Sequence, residues 1–304
     1  MERVEVSMEF IPAKTIVSGY KENPNWFGIN YGMNIYKGCC HGCIYCDSRS
    51  NCYQIIEFDR VRIKENSTEI IKKELKSKKT KGVVGTGAMS DPYNPFEEKF
   101  MLTREALKAV DENRFGISIA TKSDLIMRDI DILKRIQSHS PTIIKITITT
   151  YDDNLCKKIE SNVCPTSKRF EALKELSDNE IYAGVLLMPI LPFINDNEDN
   201  IKNIIKKAYE SGAKFVFTYG LGVTLRQNQR EYYFEQLRNI FPGEDLDKKY
   251  IKAYGESYEN GATNYEKLWK TFKEECEKYN ILYDMKDIIN DYKNKYEKTQ
   301  ISWF

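Results

Sequence analysis

The cysteines Cys39, Cys43 and Cys46, spaced four and three residues apart, constrain this chain more than any other feature. They lie in Tyr36-Lys37-Gly38-Cys39-Cys40-His41-Gly42-Cys43-Ile44-Tyr45-Cys46, on a loop leaving a β-type run at 33–36. Three thiolates on so short a loop can wrap three corners of a [4Fe-4S] cubane, while Gly38 and Gly42 let the backbone approach its sulfides. The fourth iron is then open, and a cofactor can chelate it through its own amino and carboxylate groups. A structural zinc site is the competing reading, but zinc wants a fourth ligand nearby and rarely tolerates a three-residue gap. Cys40 and His41 are the remaining zinc candidates, and Cys40 reads better as a packed thiol.

Eight cysteines occur in all, four of them between 39 and 46, against only two histidines, His41 and His139, so a sulfur-only site is favoured. There is no run of about 18 apolar residues, and Met1-Glu2-Arg3-Val4-Glu5 resembles neither a signal nor a transit peptide. A cytoplasmic protein with reduced thiols and no membrane partner is expected. With 46 basic and 45 acidic residues the net charge is +1, so any nucleic-acid surface must be a local patch. The lysine-rich stretch 72–81 either solvates a helix C-terminus and complements its dipole or touches nucleic acid.

Short β-branched runs at 33–36, 82–85, 116–120, 143–149, 183–188 and 214–219 alternate with helical patterns near 67–78, 103–113, 128–138, 166–177 and 198–211. This is the pattern of βα units around a parallel sheet. The expected fold is α/β, a partial (β/α)6 barrel over 33–224, because residues 225–304 lack the two further units of a closed barrel. An irregular strap, 1–32, precedes it. A helical extension, 225–304, follows, with helices near 226–239, 264–279 and 284–296 and an irregular link at 250–263.

The CxxxCxxC spacing, with Tyr45 just before the last cysteine, resembles the radical S-adenosylmethionine (SAM) superfamily. Further motifs resemble the branch that includes spore photoproduct lyase: Met89-Ser90-Asp91-Pro92-Tyr93-Asn94-Pro95, Thr121-Lys122-Ser123 with Arg128-Asp129, Glu160 with Pro165 and Arg169, and Met188-Pro189-Ile190-Leu191-Pro192. Each falls at the C-terminal end of an expected strand, the rim where barrel chemistry is done. The resemblance implies a cluster on Cys39, Cys43 and Cys46 that cleaves SAM reductively to a 5′-deoxyadenosyl radical, with electrons from a flavodoxin- or ferredoxin-type reductant.

The same resemblance assigns Ser90, Asp91, Lys122 and Arg169 to SAM, with Tyr45 packing on the adenine. Each has a plainer alternative. Lys122 can be an exposed strand-end lysine, Arg169 can pair with Glu160, Tyr45 can be a core aromatic, and Asp91 can cap a turn. Cys164 is a candidate hydrogen-atom donor or a small packed thiol. Two departures weaken the likeness to the lyase: Ala88 or Met89 stands where its hydrogen-donor cysteine is expected, and Asp47 replaces the tyrosine after the third cluster cysteine.

The implied substrate is DNA or another nucleic acid. Radical modification of a peptide or small metabolite is the alternative, and a non-enzymatic iron–sulfur sensor is a third reading. The end of the chain, Gln300-Ile301-Ser302-Trp303-Phe304, resembles the peptide by which bacterial DNA-processing proteins dock on the replication sliding clamp; alternatively it folds back on the barrel.

Overall fold

The computed structural model describes residues 8–20 and 26–297. Its core is a seven-stranded sheet containing six parallel strands in spatial order: Tyr31–Met33, Val83–Thr86, Gly116–Thr121, Thr142–Thr147, Ala183–Leu186 and Val216–Phe217. Strand Val17–Gly19 completes the sheet, antiparallel beside the first of the six. Crossover helices Ser67–Ser77, Leu102–Glu112, Ile130–His139, Thr166–Asp178 and Glu198–Glu210 return the chain from each strand to the next. The result is the open (β/α)6 half-barrel read from the sequence, followed by a helical C-terminal region.

From Val83–Thr86 to Val216–Phe217 the strands are buried on both faces, which is why they read as largely apolar runs. Ile117, Ile119, Ile144 and Ile146 join the core cluster formed with Ala106, Leu107, Leu133 and Ile136 of the surrounding helices. Alternation sends Ser118 and Lys145 to the inner face.

Three stretches depart from the sequence reading. The run expected at 33–36 splits: Tyr31–Met33 stays in the barrel, while Tyr36–Lys37 turns away to pair antiparallel with Arg62–Lys64. The strap is not wholly irregular, because Glu9–Ile11 pairs in parallel with Arg62–Lys64 and Val17–Gly19 joins the main sheet. The link at 250–263 receives the end of helix Leu246–Tyr254, and its strand Glu259–Gly261 pairs with Gly222–Thr224. Segments of three residues are too short to display a period.

The helix Met285–Glu297 fills the end of the barrel away from the cysteine loop. Its Ile288 and Tyr292 pack with Phe27, Ile143 and Phe215, and the Tyr292 hydroxyl donates to the Phe27 carbonyl at 2.6 Å. The terminal peptide Gln300-Phe304 lies outside the described residues. Among the described residues no helix is long and apolar enough to cross a membrane.

Lys145 is the anomaly of the inner face. Its amine is enclosed, donates to Ser118 Oγ at 2.6 Å and sits 4.7 Å from the centre of the Phe27 ring, with no carboxylate paired to it among the described residues. Burial alone pushes it down to about 7. Between pH 7 and an ordinary lysine's range the unfolded chain therefore holds a proton that the folded chain does not, so stability rises with pH across that window. The gap corresponds to about 5 kcal/mol. Lys145→Met should abolish this dependence: in urea titrations of the apo chain, the stability difference between wild type and variant should change by several kcal/mol from pH 7 to pH 10. A constant difference would show that the amine is not desolvated.

Candidate iron–sulfur and cofactor site

The cysteine loop crosses the rim of the barrel in a backbone path that only glycine follows easily. Gly38 and Gly42 both have positive φ, at 83° and 68°, and a Cβ on them would collide with the Arg60 carbonyl and the Ser161 hydroxyl respectively. The glycines thus serve close packing of protein against protein around the loop. Cys39 N donates to the Phe58 carbonyl at 2.8 Å and Ile44 N to the Ile159 carbonyl at 3.0 Å, so both arms of the loop are tied to neighbouring chain.

Cys43 is buried, and Cys39 and Cys46 are half-buried. Burial pushes all three thiols up, Cys39 to about 12, and Cys43 is raised further by the charges of Cys46 and Cys39. The three sulfurs therefore occupy one electrostatic neighbourhood. Among the described residues no three His, Cys, Asp or Glu side chains converge on a single point as ligands of one ion would. A cubane, held at separate corners, does not require that convergence. The donor set fits a cluster: thiols that are costly to ionise alone are compensated by the iron charge they bind, with release of protons.

Lys122 leaves the third strand and stands behind this loop. Burial works against its charge, but Cys43 and Glu160 outweigh it and hold the ammonium above an ordinary lysine. Its Nζ lies 5.7 Å from the centre of the Tyr45 ring. The Lys122 backbone is fixed at both faces: its N–H donates to Asp91 Oδ2 at 2.8 Å, and its carbonyl accepts from the Cys164 thiol at 3.2 Å. Burial pushes that thiol up to about 11, so it remains protonated at neutral pH.

Asp91 joins two strand ends. Oδ1 accepts from Thr121 Oγ1 at 2.7 Å and from the Tyr93 N–H at 2.9 Å, and Oδ2 also faces His41 Nδ1 at 3.6 Å. His41 is held below its usual pKa by burial, which exceeds the pull of Asp91. Ser90 donates its hydroxyl to the Gly38 carbonyl at 2.5 Å and so pins the start of the cysteine loop. In this arrangement Ser90 and Asp91 engage protein groups rather than pointing free.

A second buried unit braces the other side. The Tyr45 hydroxyl donates to Glu160, and Arg169 Nη2 meets Glu160 Oε2 at 2.5 Å, both of these charged side chains being fully enclosed. Arg169 also donates to the Cys164 carbonyl at 3.1 Å, the Thr147 carbonyl at 3.0 Å and Cys156 Sγ at 3.2 Å. The pairing weighed from sequence as the plainer alternative is therefore the contact observed. Burial raises the Glu160 carboxyl, but Arg169 and Lys122 outweigh it and keep it ionised.

The helical extension clasps the loop from outside. Gln229 Nε2 donates to the Tyr45 carbonyl at 3.0 Å, Arg226 Nε to Asp47 Oδ1 at 3.0 Å, and the Tyr232 ring covers Arg49 at 3.8 Å. Asp47 Oδ2 accepts from the Tyr53 hydroxyl at 2.6 Å. Ala88 is near, its carbonyl accepting from Ser48 Oγ at 3.5 Å. Sequence reasoning gave no site role to Gln229, Arg226 or Tyr53, weighed His41 only as a zinc candidate, and named Glu160 within a motif and as a partner of Arg169. Nothing local in the sequence marks those three.

A parallel half-barrel with a three-thiol loop and a half-buried lysine at its rim defines a class of iron–sulfur enzymes. A family model described as Radical SAM superfamily matches residues 33–208, and the chain belongs to that superfamily, whose members hold a [4Fe-4S] cluster and SAM. An uncharacterised protein of Methanocaldococcus jannaschii is 34% identical over 235 residues, covering 76% of this chain and 79% of that protein. An uncharacterised protein of Mycobacterium tuberculosis strain H37Rv is 24% identical over 232 residues, covering 74% of this chain and 67% of that one. Among solved structures, spore photoproduct lyase complexed with dinucleoside spore photoproduct superposes with a TM-score of 0.63 at 14% identity, covering 89% of this chain and 79% of that one. A mutant of that lyase with bound AdoMet and dinucleoside spore photoproduct gives 0.61 at 14% identity, covering 86% and 76%. These two share its fold.

Proposed function

We propose that this chain is a radical SAM enzyme acting on DNA or another nucleic-acid component, with its cluster on Cys39, Cys43 and Cys46. The observation that carries the reading is the placement of the half-buried Lys122 ammonium among Cys43, Cys46 and Glu160 at the rim of the barrel. Held by Cys39, Cys43 and Cys46, a cluster would supply the one electron that reductive cleavage of SAM to methionine and a 5′-deoxyadenosyl radical requires. The nucleic-acid substrate rests on the fold shared with a lyase solved with a dinucleoside photoproduct.

The chain's own residues divide the work. Lys122 offers a fixed cation to the carboxylate of SAM, and Asp91 orients Lys122 through its backbone. Ser90 holds the loop at Gly38. Arg169 keeps Glu160 charged and in place, and Glu160 in turn fixes Tyr45, whose ring belongs to a buried core cluster with Ile159 and Leu191 and to which the proposal gives the adenine. Cys164, protonated and adjacent to Lys122, is the proposed hydrogen-atom donor. A cavity of about 430 Å³ outside the loop, bordered by Cys40, Gly42 and Ile44, gives a flavodoxin- or ferredoxin-type reductant an approach to the cluster. The functional division follows the expected strap, barrel and extension, and clamp docking through Gln300-Phe304 remains part of the proposal.

Anaerobic reconstitution followed by dithionite and SAM tests the reaction: 5′-deoxyadenosine should form, and label should pass into it from deuterated oligonucleotides. Absence of 5′-deoxyadenosine from cluster-loaded protein would leave an iron–sulfur sensor. Label arriving only from peptides or metabolites would overturn the nucleic-acid assignment. Lys122→Ala should retain the cluster's visible absorption and weaken SAM binding by about 1.5–3 kcal/mol, the worth of a hydrogen bond to a charged group. Unchanged affinity would remove Lys122 from the cofactor site.

A further inference from the structure

The end of the barrel opposite the cysteine loop carries a second concave site. A cavity of about 740 Å³ opens where the second, third and fourth parallel strands begin, bordered by Gly82, Gly116 and Pro141. Its lining brings together Lys81, Arg114, Lys293 and Lys295, from three separate parts of the chain, and includes no Asp or Glu. In a chain whose net charge is +1, this is a concentrated positive field in a concave wall, where field lines focus.

Three of these cations, Lys81, Arg114 and Lys295, keep their charge available to a ligand. Among the described residues no carboxylate pairs with Lys81, Arg114 or Lys295, and Asp111, nearby, is taken by His139 at 3.0 Å and Arg135 at 3.0 Å. Lys81 and Lys295 lie over aromatic rings at 4.5 and 4.9 Å, which orients them without removing their charge. The wall from helix Met285–Glu297 is anchored: Lys293 Nζ donates to the Gly28 carbonyl at 2.7 Å, and the Tyr296 hydroxyl to the Gln137 carbonyl at 2.5 Å.

We infer that this basal cavity binds a ligand bearing several phosphates. Its volume falls in the range of small-molecule sites, and lysines with an arginine, here Lys81, Arg114 and Lys295 with no carboxylate partner among the described residues, are the side chains that hold phosphate oxygens. Two sources share that chemistry, a free polyphosphate or nucleotide and a nucleic-acid backbone running across the base of the barrel. The site lies away from the cluster rim, so it anchors its ligand rather than reacting with it, and it does not depend on the proposed reaction.

The test uses the full chain, wild type and Lys81→Gln/Arg114→Gln/Lys295→Gln, with tripolyphosphate, ATP and a labelled single strand of about 20 nucleotides as probes. Wild type should bind at least one probe, and the triple variant should bind it at least about tenfold more weakly with an unchanged urea midpoint and unchanged yield of 5′-deoxyadenosine. Saturation by ATP and displacement of the strand by tripolyphosphate identify a small phosphate ligand. Affinity that grows with strand length, with a salt slope reduced by about 0.7 per lost contact in the variant, identifies a nucleic-acid backbone. Failure of all three probes to bind below about 1 mM at about 50 mM salt overturns the site, as does equal binding by the triple variant. If the triple variant misfolds, Lys295→Gln alone, at an exposed helix position, must still weaken binding.

Discussion

Replacing Cys43 by alanine should eliminate the visible iron–sulfur absorption of the reconstituted protein and, with it, all formation of 5′-deoxyadenosine. Two thiolates cannot retain a cubane whose fourth iron is open. Cys39→Ala and Cys46→Ala should behave alike, because the three sulfurs share one electrostatic neighbourhood. Cys40 is the internal control. It is next to Cys39 in sequence, yet its carbonyl is occupied by Asn162 Nδ2 at 2.9 Å and the residue borders the cavity outside the loop. Cys40→Ala should therefore keep full iron and sulfide content. If it loses iron as completely as Cys39→Ala, the ligand assignment fails.

Arg169→Met should be the most destabilising change at the site that leaves every cluster ligand in place. Glu160 is fully enclosed, and Arg169 is its direct counter-charge at 2.5 Å. Removing one member of such a pair leaves a carboxylate with too little compensation, at a cost of about 3–5 kcal/mol. The carbonyls of Thr147 and Cys164 lose donors at the same time. Adding Glu160→Gln should recover part of the loss, since it removes the orphaned charge. Urea unfolding of the four apo proteins measures the coupling directly. A loss below about 1 kcal/mol for Arg169→Met would mean that water or Lys122 already satisfies Glu160.

Much of this was legible in the sequence because the informative residues are local. A candidate ligand set confined to residues 39–46 is visible whatever the rest of the chain does, and six strands each followed by a helical pattern leave few topologies. The partners of that loop were hidden because their meaning is tertiary. Gln229 is 184 residues from the Tyr45 carbonyl it holds, and nothing beside it differs from a solvent-facing helix start. Ser90 and Asp91 were read as reaching a cofactor, whereas their first partners are Gly38, Thr121 and the Lys122 backbone. Lys145 sits between Ile144 and Ile146, a pattern equally compatible with an edge strand turned to water. Only the placement of its neighbours encloses it.

The clasp on the cysteine loop also imposes an order of events during synthesis. Tyr45 and its flanking cysteines leave the ribosome 184 residues before Gln229 does. At 5–20 residues per second, roughly 10–40 s pass before the outer wall of the loop exists. The barrel side of the loop, with Ser90, Asp91, Lys122, Glu160 and Arg169, is completed within that interval, and the side covered by Gln229, Arg226 and Tyr232 only at its end. The extension is thus the last wall to be laid against the cysteine loop, because Gln229, Arg226 and Tyr232 are synthesised after every residue of the barrel side.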